Sequence, residues 1–302
     1  MKRKAALALL FLAACGGNYS NGDVEFIGAL PVRHELESKL PQPTGQALEG
    51  VRQDAIAVGE PSQAYLDTQS ATASFNGGLF GLLDLIDKIR VIPPTHRDLD
   101  RRIWGPFPDE HNTNFLVEVV MERVQSVVFT YRIEVRSKDA PASAPWTSLV
   151  VGTFHGTGGA RRGIGEVQLL AQAVRDVGFA VQGFDQVETL EMSYRTDQSP
   201  VEVNMLFRGT STAAFQIVTY GYREFADGQG AMQFIATRNN LVLSETSRWR
   251  SSGQGRTDSA VSAGAYFGAQ GIECWDAQFL VTYSNKSWEN PTLVGNPGNC
   301  AF

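Results

Sequence analysis

The sequence predicts a mainly β protein with α content: one large antiparallel meander, with room to curl into a half-barrel, covered by a helix near the N-terminus. Three observations lead there. From residue 115 onward most segments are rich in Val, Ile, Phe, Tyr and Thr, and short clusters of turn residues separate most of them. The gaps leave little space for crossover helices, so consecutive strands should pair antiparallel. A single stretch before them, 62–90, carries apolar residues at helical spacing.

Taken in order, residues 15–61 read as a tether. Pro31, Pro41, Pro43, Gly45, Gly50, Gly59 and Pro61 interrupt short apolar stretches, and a flexible segment of this length reaches roughly 40 Å. Its residues are compatible with a short helix over 45–57. Residues 62–302 then read as one β-rich domain. In the helix expected over 62–90, Leu79, Leu82, Leu83, Ile86 and Ile89 share one face, while Asp84, Asp87 and Lys88 take the other. Gly77-Gly78 is expected to break or kink it, and Pro93-Pro94 to stop it. Trp104-Gly-Pro-Phe107 reads as a turn. Strands are expected over 115–124, 127–136, 147–155, 187–195, 201–208, 213–224, 231–237, 242–250 and 277–283. One short helix is expected over 167–177, closed by Gly178.

The first residues carry an address. Lys2, Arg3 and Lys4 precede an apolar run, Ala5 to Ala14, too short for a bilayer crossing of about 20 residues. Basic start, short apolar core and small terminal residues are the pattern of a signal peptide, here 1–14. Leu12-Ala13-Ala14-Cys15 resembles the lipobox of bacterial lipoproteins. That resemblance implies a diacylglycerol on the Cys15 thiol, cleavage just before it, and a membrane as partner through that lipid. In that family an aspartate after the cysteine holds the protein at the inner membrane. Gly16 stands there instead, which implies the outer membrane of the cell envelope. More than one acyl chain makes such anchoring stable.

Removing that leader leaves 23 basic residues against 32 acidic ones, a formal charge of -9. An acidic chain without a basic cluster excludes nucleic acid as an expected partner. With Cys15 acylated, Cys274 and Cys300 remain, and an even pair in an exported chain is expected to form a disulfide.

Catalytic signatures are absent. Gly152 to Gly165 lacks the Lys and Ser/Thr that a phosphate loop requires, since Ile164-Gly165 stand there; a flexible surface turn is expected. His34, His96, His111 and His155 form no zinc motif, and the polar cluster Asp109, His111, Asn112 and Asn114 lacks calcium-loop spacing. No Gly-x-Ser-x-Gly elbow occurs. No metal and no cofactor is expected.

The C-terminal third concentrates aromatics, arginines and carboxylates: Ser247-Arg248-Trp249-Arg250, Gly253-Gln-Gly255-Arg256-Thr-Asp258 and Glu273-Cys274-Trp275-Asp276. This series resembles the tail of uncharacterised bacterial envelope lipoproteins, a likeness that implies no chemistry. Arg248, Trp249, Arg256, Asp258, Trp275 and Asp276 form the candidate binding patch, with the tryptophans as stacking platforms and an arginine pairing an anionic group. The structural alternative, a salt-bridged corner pinning a wide glycine-bearing loop, is preferred. A curled sheet round a helix is also similar in outline to the half-barrels of periplasmic lipoprotein carriers. The leading expectation is a non-enzymatic lipoprotein that binds or scaffolds an envelope partner. One alternative is a carrier of lipid or another apolar ligand, with the helix as a lid over a concave sheet. Another is a hydrolase of envelope polymers, using acids near Trp249 and Trp275.

Overall fold

The computed structural model describes residues 19–43, 57–159, 161–180, 186–300 and 302. Four helices are α1 Asn21–Gly28, α2 Arg33–Leu36, α3 Gln63–Ile89 and α4 Ala171–Val177. Fifteen strands follow the chain as β1 His96–Arg97, β2 Arg101–Pro108, β3 Phe115–Gln125, β4 Val128–Ser137, β5 Thr147–Gly156, β6 Gly163–Leu169, β7 Val187–Arg195 and β8 Val201–Gly209. They continue as β9 Ile217–Glu224, β10 Gly230–Arg238, β11 Leu241–Trp249, β12 Gly255–Ala263, β13 Gln270–Trp275, β14 Val281–Lys286 and β15 Leu293–Gly295. Each strand pairs with the next in one antiparallel meander, the architecture expected from the turn spacing. The sheet is open: β1 and β15 are its two edges and do not meet.

Helix α3 lies across the strands. Ala64 donates its amide to Glu273 of β13, Thr68 shares a hydroxyl bond with Ser247 of β11, and Thr72 reaches Met232 of β10. Gly78 sits against Phe207 of β8. Between Ala64 and Gly78 the helix advances about 21 Å, close to the five strand spacings of about 4.8 Å that separate β13 from β8. Just beyond its end, the Ile92 carbonyl accepts from Trp104 of β2. A flat sheet would need about 53 Å from β13 to β2, whereas α3 is about 40 Å long. The sheet therefore curls round the helix.

The stripe Leu79, Leu82, Leu83, Ile86 and Ile89 is buried, as its spacing demanded. The expected break at Gly77-Gly78 does not occur; α3 is continuous through both. Nothing lies within 4 Å of a Cβ built on Gly77, but one on Gly78 would stand 2.5 Å from the Phe207 ring. One glycine is spare, and its neighbour makes room for a strand. Gly77→Ala should accordingly stabilise the protein by about 1 kcal/mol, while Gly78→Ala should destabilise it by about 1 kcal/mol. Urea midpoints of the two variants would show the opposite signs.

Several boundaries differ from those expected. Residues 19–43, read as tether, pack into the core: Phe26, Leu30 and Leu36 are buried, and Phe26 meets Phe129 edge-on at 5.2 Å. Arg90 at the end of α3 donates to the carbonyls of Ile27 and Leu30, both at 3.1 Å. The helix considered over 45–57 lies almost wholly outside the described residues. Trp104 and Phe107 belong to β2, with a register shift between them at Gly105. Val167 belongs to β6, and the short helix starts at Ala171, closing on left-handed Gly178 as expected.

Glycines explain the other differences. Of the run 152–165, expected as a surface turn, 152–156 and 163–165 are paired strand in β5 and β6, and the turn is confined to the residues between them. Gly152 lies directly opposite Tyr131, and Gly165 opposite Tyr194, with each ring folded over its glycine. Trp249 covers Gly230 and Trp275 covers Gly255 in the same way. A ring lying flat on a neighbouring strand needs a position without Cβ. Gly255 and Gly271 thus lie within strands β12 and β13, where a wide loop was expected. The strand expected over 277–283 is β14, shifted to Val281–Lys286 behind the Asp276–Leu280 turn.

Candidate functional site

The first turns of α3 and the inner face of β11 to β14 enclose a cleft of about 340 Å³. Strand alternation turns Leu243, Glu245 and Ser247 toward the helix, and Thr257, Ser259 and Val261 beside them. Asp67 enters from α3, Glu273 from β13 and Lys286 from β14. Leu243, Val261 and Ala269 supply an apolar wall. Tyr266 and Trp288 stand at the mouth, 70% and 53% exposed.

The charges at its base are fixed by the start of the helix. Glu273, 1% exposed, accepts from the Ser62 hydroxyl at 2.5 Å and from the Ala64 amide at 2.9 Å. Ser62 in turn accepts from the Tyr65 amide at 3.0 Å as N-cap. Lys286 Nζ pairs with Glu273 at 2.6 Å and Glu289 at 3.2 Å. Burial works against the Lys286 charge, but Glu273 and Glu289 outweigh it and raise the ammonium pKa.

Two further carboxyls share the cleft. Burial chiefly pushes Glu245 up to about 7; the charge of Asp67 adds to this, against a hydrogen bond from Ser259 and the charge of Lys286. Asp67 is raised too, mainly by burial, with Gln63 and Lys286 opposing and Glu273 adding. A carboxyl raised in the fold holds a proton that the unfolded chain has lost. Its contribution is therefore most favourable in acid and declines as pH rises from about 4.5 to about 7. Between pH 5 and pH 8 the wild type should lose roughly 2 kcal/mol more stability than Glu245→Gln. Denaturant unfolding at both pH values would test this.

The six residues of the expected patch are neighbours in the sheet but not on one surface. Trp249 and Trp275 are buried on the inner face, donating to the carbonyls of Lys39 at 3.3 Å and Gly253 at 2.9 Å. Arg248, Arg256 and Asp258 meet on the opposite face, where Asp258 accepts from Arg256 at 2.5 Å and Arg248 at 3.1 Å. Arg256 also holds the terminal Phe302 carbonyl at 3.2 Å. Asp276 caps a turn, accepting from the amides of Gln278 and Leu280. Cys274 and Cys300 are joined in a disulfide, Cα atoms 5.4 Å apart, which fastens the chain end to β13. Cys15 lies outside the described residues.

Comparison with protein-family models, with curated proteins and with solved structures finds no match to this chain. The site must be read from its own geometry. Among the described residues, no three His, Cys, Asp or Glu gather closely enough to hold a metal ion. A wider trough of about 880 Å³ crosses β4 to β10 on the other face of the sheet, lined by Thr130, Arg132, Val151, Gln168, Leu206 and Thr219 among others. It is open, and its Glu166 and Glu191 stand in solvent. The cleft beside α3 is distinguished by a buried ion pair, Glu273 with Lys286, next to aromatic rings. Sequence inspection missed Asp67, Glu245, Lys286, Tyr266 and Trp288. The available signal was Glu245, a charge at an inward position between Leu243 and Ser247.

Proposed function

We propose that this is a non-catalytic lipoprotein of the bacterial cell envelope, anchored to the outer membrane through Cys15, whose folded body binds a small amphiphilic ligand in the cleft beside α3. The cleft carries this reading, because an apolar wall and aromatic mouth lead to polar groups at the base. The apolar part of a ligand would lie along Leu243, Val261 and Trp288, and a hydrogen-bonding head would meet Glu245 and Asp67. A lid over a hollow sheet is less favoured: Phe75, Leu79 and Leu83, further along α3, are 0% exposed within continuous packing.

The test uses N-phenyl-1-naphthylamine, an apolar dye that fluoresces on leaving water. Bound fluorescence is expected with the wild type and should fall at least tenfold with Val261→Trp, which fills the cleft. Equal dye binding by both proteins would overturn the assignment. For the anchor, mass spectrometry of the mature N-terminus should show an acylated Cys15, and Cys15→Ser should abolish that modification.

A second reading, hydrolysis of an envelope polymer, draws on Glu245, since a carboxyl titrating near neutrality can donate a proton. The acids first considered for it do not serve: Asp258 is held by two arginines and Asp276 by its turn. Release of sugars or peptides from envelope material, abolished by Glu245→Gln, would favour this reading over ligand storage.

A further inference from the structure

The turn between β12 and β13 ends in Gly264-Ala-Tyr-Phe-Gly268-Ala269. Both glycines have left-handed backbones, with φ of 92° and 85°, which lets the chain reverse while two adjacent aromatics point away from the body. Tyr266 is 70% and Phe267 76% exposed. The turn is built rather than loose. The Phe267 amide donates to Gly264 at 3.1 Å, Gly268 to Val261 at 2.9 Å, and Ala269 to Tyr266 at 3.0 Å. The next hairpin is tied to it through Ser287, whose amide donates to the Gln270 carbonyl at 2.9 Å. The half-exposed ring of Trp288 lies over Gly271 of β13 and lines the same cleft mouth as Tyr266. Residues 259–272 contain no charged side chain, although Asp258 and Glu273 flank them.

We infer that this tip, with Tyr266, Phe267 and Trp288, inserts into the interfacial region of a lipid bilayer and gives the protein a membrane contact independent of any acyl chain. Trp and Tyr favour that region, where an apolar ring and a polar edge are both satisfied. A protein partner fits less well. Three partly exposed rings offer roughly 400 Å², about half of the ~800 Å² that each side of a stable protein interface covers. The uncharged run supplies no ion pairs for a polar rim. A bilayer needs neither the area nor the rim. Because Tyr266 and Trp288 also border the cleft, insertion would set the mouth of that cleft at the lipid surface.

The test uses the full chain carrying Cys15→Ser, mixed with phosphatidylcholine vesicles that contain brominated acyl chains. Bromine quenches only tryptophans that enter the bilayer; Trp104, Trp249 and Trp275 are buried in the protein, and the half-buried Trp146 lies under Arg136 of β4, far along the sheet from the tip. Quenching is expected, and Trp288→Phe should remove most of it. Tyr266→Ser with Phe267→Ser should lower vesicle partition at least ~10-fold, since each ring contributes about that factor or more on burial. Salt should change partition little, because no charge is engaged. Unquenched tryptophan, or quenching indifferent to both variants, would overturn the inference. So would a concentration-dependent dimer, without lipid, that the double variant dissolves. Dye binding in the cleft is read without vesicles, so either proposal can fail alone.

Discussion

Asp23→Ala is expected to lower folding stability by about 3–5 kcal/mol, the cost of stranding a buried charge. Asp23 is 0% exposed and accepts from Arg102 at 2.6 Å, from Arg97 at 3.0 Å and from the Ser20 amide at 2.8 Å. Arg102, itself buried, would keep its charge and lose its partner. The same group makes the fold sensitive to acid. Burial alone would raise the Asp23 pKa, but the hydrogen bonds from Ser20, Arg102 and Arg97 overcome it and hold the pKa at about 2. A lowered carboxylate pKa stabilises fully above the unfolded value near 3.8, and that contribution is lost as pH falls through about 2. The loss amounts to roughly 2 kcal/mol, and Asp23→Asn should abolish it. Urea titrations from pH 2 to pH 6, with an unchanged m-value, would make the measurement. Equal acid sensitivity in wild type and Asp23→Asn would contradict it.

Lys286→Met should cost a similar ~3–5 kcal/mol, for the mirror-image reason. It leaves the buried Glu273 side chain without its ammonium partner, although the Ser62 and Ala64 donors remain. Converting Glu273 to Gln in the same chain should recover much of the loss, since an amide can still accept from those donors. The two single variants and the double variant form a cycle whose coupling term measures the pair. If Lys286→Met unfolds at the wild-type midpoint, the pair contributes nothing. Glu245 lies in the same cleft and has the opposite pH response to Asp23: its contribution grows as pH falls from about 7 to about 4.5, while that of Asp23 declines only below about 3.8.

The meander was legible because turn clusters and β-branched runs are local signals. Phe115, Val117 and Val119 announce a strand without reference to the rest of the chain. The buried stripe of α3 was legible for the same reason. What local signals cannot carry is register. Gly163 and Gly165 looked like part of a flexible loop because nothing in the sequence says that Tyr194 lies across from Gly165. Trp249 and Arg248, adjacent in sequence, seemed to belong to one patch, whereas alternation sends them to opposite faces. The cleft was hidden more deeply. Its acids come from positions 67, 245 and 273, brought together only because a helix runs across strands far along the chain. Residues 19–43 were misread because their prolines and glycines outweighed a few well-placed apolar side chains, Phe26, Leu30 and Leu36.

An open sheet of fifteen strands offers two unpaired borders, yet each border strand is minimal: two residues in β1 and three in β15. Pro93-Pro94 and the basic Arg97 stand at the first. Another chain seeking to extend the ladder would find two or three backbone partners and then nothing. Many copies crowded on one surface should thus remain separate particles rather than grow into fibres.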